Sequence, residues 1–116
     1  MIFVFGSNLA GRHGAGAALA ARQKHGAQYG NGKGRQGNSY AIPTKDRELK
    51  TLPLDIIQGY VEEFLHYARD NPDEKFQLTA IGCGLAGYNE KQIAPMFKTA
   101  GPNIWLPSGF ERVLAK

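Results

Sequence analysis

Ile2-Phe3-Val4-Phe5 is a short unbroken apolar run of β-forming residues, the pattern of a strand covered on both faces. It runs into GSNLAGRHGAGAALAA, where Gly6, Gly11, Gly14 and Gly16 free the backbone to take positive φ and to approach a ligand closely. The alanines that follow are strong helix formers, so Ala15 to Lys24 is predicted to be a helix. HGAQYGNGKGRQGNS has no apolar rhythm and reads as a mobile loop. SYAIPT returns to strand character, with Pro43 marking its end and Lys45 just past it. Pro53 suits the first turn of a helix whose inner face repeats as Leu54, Ile57, Val61, Phe64, Leu65 and Ala68. FQLTAIG is a further strand, and Asn89 with Gln92 has capping-box spacing for a helix from about Glu90 to Lys98. NIWLP is the last strand, and SGFERVLAK a short tail.

This order of strands and helices predicts one compact α/β domain over residues 1–116, a three-layer α/β/α arrangement around a mostly parallel or mixed sheet. Ligands in open α/β sheets sit beyond the carboxyl ends of the strands. The residues expected there are Asn8, Lys45, Gly82 to Gly84, and Pro107 with Ser108. Both glycine loops fall on this rim, each leading into a helix whose amino end favours negative charge. Two such loops facing one crevice suit a diphosphate better than a single phosphate.

Composition narrows the class only slightly. A chain of 116 residues, 42% hydrophobic and 21% charged, buries a core without disulfides or metal and is not a disordered segment. Lys and Arg outnumber Asp and Glu by 14 to 10, and the net charge of +4 tilts the odds toward an anionic partner. Cys83 is the sole cysteine, which rules out an intrachain disulfide and makes a cytoplasmic setting the default. The opening lacks the basic leader of a signal peptide, and no run is long enough to span a bilayer, so no membrane partner is expected.

Each residue with chemistry to offer also has a plainer reading. Lys45 is either the reactive amine of the ligand rim or an exposed surface lysine, and its place after Ile42-Pro43-Thr44 favours the rim. Cys83 between two glycines invites a nucleophile reading, but no histidine partner is indicated, and a small buried hydrophobe is the plainer account. His13, inside the first loop, is a ligand contact or a solvent-exposed loop histidine. His13, His25 and His66 lack metal-ligand spacing, so no metal or other cofactor is expected. GNGKGRQG matches neither a Walker loop nor a dinucleotide fingerprint; it reads as a flexible basic loop, a lid, or an arm for nucleic-acid phosphates.

Taken together, Asn8 with LAGRHGAGAALA, then YAIPTKD, the helix after Pro53, and LTAIGCGLAGY resemble the macrodomain family of ADP-ribose binders. The similarity is greatest to the branch with the terminal ADP-ribose protein glycohydrolase and the antitoxin that removes ADP-ribose from DNA, and it covers about Ile2 to Phe97. The resemblance implies that Asn8 holds the distal ribose, and that Gly11, His13, Gly14 and Gly16 belong to a first loop wrapping that ribose and the adjoining phosphate. It implies a second loop of Gly82, Cys83, Gly84, Leu85, Ala86 and Gly87 gripping the diphosphate, and Lys45 as the catalytic residue. Protein-directed members carry an aspartate where this chain has Ala86, and Asp46 is a poor substitute because neighbouring strand side chains face opposite ways. No counterpart of the family's earlier strand, which contacts adenine, precedes Ile2, leaving Tyr88 and Phe110 as candidates to stack on a base.

The function so implied is binding of ADP-ribose or a related nucleotide, with hydrolytic release of ADP-ribose from protein or DNA. The alternative is a non-catalytic binder that senses or sequesters ADP-ribose or a cyclic nucleotide signal derived from NAD. A basic nucleic-acid-binding module ranks third, because the chain lacks interleaved aromatics for stacking bases.

Overall fold

The computed structural model describes residues 1–115. The elements are β1 (Ile2–Asn8), α1 (Gly16–Lys24), β2 (Gly34–Gln36), β3 (Ser39–Lys45), α2 (Leu54–Asp70), β4 (Phe76–Leu78), α3 (Glu90–Ile93), β5 (Ile104–Trp105) and α4 (Ser108–Leu114), with a 3₁₀ turn at Ala94–Phe97. The five strands form one mixed sheet in the order β2-β3-β1-β4-β5. Every adjacent pair is parallel except the β2–β3 edge.

The sheet divides the interior in two. On one face Ile2, Val4, Tyr40 and Ile42 meet the buried stripe of α2, and Phe64 packs edge-on against Phe76 at 5.4 Å between ring centroids. Each fully buried phenylalanine of this cluster contributes about 1.5–3 kcal/mol of transfer free energy. On the other face Phe5 and Ala41 meet Ala18 and Ala21 of α1. The short side chains of α1 bring its axis close to the sheet, which carries its amino end to the strand ends. The result is a three-layer α/β/α domain.

Several boundaries differ from the sequence reading for identifiable reasons. The glycine-rich stretch expected to be a mobile loop contains β2. The buried Gln36 side chain organises it, accepting from the Gln28 N–H and donating to the Asn31 and Gly34 carbonyls. Pro43 lies within β3 rather than at its end. The Phe3 N–H donates to the Asn38 carbonyl, so by strand alternation Pro43 turns its missing donor away from β1. It faces the side where β2 has already stopped, opposite Ala41. The strand expected over FQLTAIG keeps only Phe76–Leu78, and the helix expected to reach Lys98 yields to the 3₁₀ turn at Pro95, whose ring removes a helical donor. The tail is the helix α4, and it buries Phe110 against Phe97.

Candidate functional site

The carboxyl ends of β1, β3 and β4 open into a crevice of about 500 Å³. Its floor is made by Gly6 and Ser7 of β1, Thr44 of β3, and Thr79 to Ile81 after β4. The two glycine loops stand on either side. A register break between Ser7 and Asn8 places Asn8 opposite Lys45 while Ser7 still faces Pro43. Such a bulge redirects side chains at a strand end. Here it leaves Lys45 half-buried on the crevice wall, where it pairs with no carboxylate among the described residues.

The first loop closes on itself through Asn8. Its side-chain oxygen accepts from the Arg12 N–H at 2.9 Å and its amide donates to the Arg12 carbonyl at 3.0 Å. The residue expected to hold a ribose is therefore first a brace for its own loop, with one amide hydrogen left for a ligand. Gly14 and Gly16 line the crevice, whereas Gly11 does not. Gly11 has φ +71° and lies on the backbone of Gly30 and Asn31, where any Cβ would collide. Gly32 likewise leaves no room for a Cβ beside the Asn8 carbonyl, and the Ser7 hydroxyl donates to the Gly32 carbonyl. The stretch read as an arm or lid is thus the buttress behind the first loop. Its charges are engaged as well, Arg35 with Glu74 at 2.7 Å and Lys33 with Glu63 at 3.4 Å.

Helix α1 begins without a capping side chain and with no acidic residue in its first turn, and Ala15 to Ala18 line the crevice. Its first amides are therefore open to an anion. The second loop supplies Gly82, Gly84, Leu85 and Ala86 to the opposite side. The N–H groups of Gly84, Leu85 and Ala86 donate to no group among the described residues, which leaves three successive amides available beside the crevice. The helix after this loop is not a second anion site: α3 has four residues, and Asn89 with Gln92 caps it in the expected box. Among the described residues one helix amino end, that of α1, lines the crevice, against the two expected.

Of the other expected site residues, Cys83, Gly87 and Tyr88 do not line the crevice. The Cys83 side chain is half-buried against the larger core, and burial, reinforced by the Glu90 charge, pushes its thiol up, which opposes a nucleophilic role. Tyr88 packs on that core and donates its hydroxyl to the Leu52 carbonyl at 2.7 Å, and Phe110 is fully buried, so neither is placed to stack on a base. Pro107 and Ser108 begin α4 away from the crevice. His13 is neither exposed nor a crevice residue; it is completely buried. No group of three or more His, Cys, Asp or Glu among the described residues is placed to hold a metal.

Tyr29 and Leu49 line the crevice without having been singled out in the sequence, whereas Leu85 was expected there. Tyr29 is 60% exposed, with the Arg22 guanidinium 5.3 Å from its ring centroid. Leu85 is 75% exposed at the tip of the second loop. Leu49 is 41% exposed and has φ +66°, the one left-handed non-glycine among the described residues. Its turn is held by Asp46, whose carboxylate accepts from the Glu48 and Lys50 N–H groups at 2.9 Å. Asp46 is thus a turn builder rather than an acid facing the crevice. A lone aromatic within glycines was the available signal for Tyr29; nothing local marked Leu49.

Amide donors, the Arg12 and Lys45 side chains, and a rim of exposed apolar groups surround the opening, chemistry complementary to an anion with a flat or apolar part. Among the described residues no carboxylate and no histidine lines it. A scan against protein-family models returns no match, and no curated protein matches the chain. No helix among the described residues is long and apolar enough to cross a membrane.

Proposed function

We propose that this chain is a macrodomain-like protein that binds ADP-ribose or a closely related nucleotide in the crevice. The observation that carries the reading is the pairing of two sets of free backbone amides, at the start of α1 and at Gly84 to Ala86, across one crevice. A diphosphate offers oxygens to both at once. The apolar rim of Tyr29, Leu49 and Leu85 suits the base and sugar faces of the same molecule. In this reading Lys45 acts at the distal ribose next to Asn8, releasing ADP-ribose from a modified protein or DNA.

A second reading, a binder without catalysis, draws on one specific feature. Among the described residues no carboxylate or histidine lines the crevice to move a proton, and Ala86 stands where protein-directed members of the resembled branch carry an aspartate. Positioned acid–base groups typically contribute on the order of a hundredfold or more in rate. Calorimetric titration with ADP-ribose tests the binding, and following ADP-ribose release from modified protein and modified DNA tests the chemistry. Tight binding with no release from either substrate establishes the sequestering reading; no binding refutes both.

A further inference from the structure

We infer that His13 is a proton-controlled positioning residue: its uncharged ring braces the ligand-side wall of the first loop, and a proton on that ring releases the wall. The imidazole is 0% exposed, and neither ring nitrogen has a hydrogen-bond partner among the described residues. Phe5 of β1 meets it edge-on at 5.3 Å between ring centroids, and Tyr29 meets it edge-on at 6.4 Å. A buried imidazole without a partner gives up hydrogen bonds that water would supply, a cost that the fold must carry for some reason.

The surroundings define which protonation state fits. The charged and titratable groups facing the ring are Arg22 from α1 and Tyr29 from the segment after it, and neither supplies a negative charge to balance an imidazolium. The Asn31 backbone lies close enough to favour a proton but outside hydrogen-bonding geometry. Burial is the largest influence and Arg22 adds to it, so His13 holds its proton less readily than an ordinary histidine. An imidazolium here is a buried charge beside a guanidinium, and the simplest relief is for the ring to leave for water.

The local backbone fixes what moves when it leaves. On one side of His13, Gly11 is wedged on the Gly30 backbone, and Asn8 holds Arg12 by two hydrogen bonds. On the other side, a Cβ at Gly14 would meet nothing within 4 Å, so that side borders open space. Arg12, Gly14 and Tyr29, the neighbours of His13 in sequence or space, all line the crevice. Expelling His13 therefore disturbs the anion-binding wall whatever the ligand is.

The sign follows from the direction of the shift. The closed loop holds fewer protons on His13 than the open loop, where the ordinary value of 6.5 applies. The brace is thus complete above that pH, and it weakens as pH falls below it toward the lowered value of the closed form, by up to about tenfold per pH unit.

The test uses the free protein, so it reads His13 even if ADP-ribose proves not to be the ligand. NMR titration of the His13 ring from pH 7.5 to 5 is followed together with exchange protection of the hydrogen-bonded loop amides of Gly11, Arg12 and Gly30. The expected result is a fall in protection of roughly tenfold per unit below the ordinary value, tracking the ring, and its disappearance in His13→Phe and His13→Leu. ADP-ribose affinity should fall over the same range in the wild type and stay flat in the variants. Should the variants fail to fold, the wild-type titration still decides. A His13 that titrates at or above the ordinary value, loop protection independent of pH, or the same pH dependence in a folded variant overturns the proposal.

Discussion

The first glycine loop, Gly6 to Gly16, is wedged into the molecule at Gly11, whereas the second, Gly82 to Gly87, packs on the core at Gly82 and Cys83 and is open at Gly84. Behind the first, Gly11 and Gly32 press backbone on backbone, and Asn8 and His13 are committed to holding the loop's shape. In the second, a Cβ at Gly84 would meet nothing within 4 Å, and the Thr51 hydroxyl ties the loop by donating to the Ala86 carbonyl at 2.9 Å. Glycine thus serves two purposes around one crevice. Gly11 of the first loop, with Gly32 behind it, leaves room for the backbone of other segments, whereas Gly84 of the second faces open space.

Substitutions can separate these two purposes. The largest effect is expected from Gly32→Val, because the added group meets the Asn8 carbonyl, which is backbone and cannot turn aside. It should cost about 3 kcal/mol of stability, read by denaturant unfolding, and remove ligand binding with it. Lys45→Ala should lower turnover of ADP-ribosylated protein or DNA about a hundredfold or more while changing ADP-ribose affinity little, since amides elsewhere hold the diphosphate. Gly84→Val should reverse the pattern of Gly32→Val: stability within about 0.5 kcal/mol of wild type, and affinity down at least about tenfold because the side chain stands where phosphate oxygens approach the amides. Equal destabilisation by the two glycine substitutions would erase the distinction between the loops. The smallest effect belongs to Leu49→Gly, where relief of about 1 kcal/mol of left-handed strain offsets the added freedom of the unfolded chain. Melting should barely move, and a drop in affinity would place Leu49 on the ligand.

What was readable beforehand follows the range of the interactions concerned. The stripe of α2, the Asn89–Gln92 box and the strand at Ile2 rest on neighbours within a few residues, and each was legible. The placement of Asn8, Lys45, Gly82 and Gly84 around one opening followed from the order of strands and helices, which also named Cys83, Pro107 and Ser108, while Gly14, Gly16, Leu85 and Ala86 entered through the family resemblance. Strand β2 was not legible, because contacts such as Arg35 to Glu74, 39 residues apart, hold a segment with no apolar rhythm. The burial of His13 and the inward turn of Tyr88 depend on packing between elements, and the left-handed Leu49 depends on a turn closed by Asp46.

The central claim, that two sets of backbone amides hold one anionic ligand, is read most directly by amide hydrogen exchange with and without ADP-ribose. Slowed exchange at both Gly16 to Ala18 and Gly84 to Ala86, with β2 unchanged, is the result this account predicts. Unchanged exchange at both sets under saturating ADP-ribose, or slowing at only one of them, would contradict it.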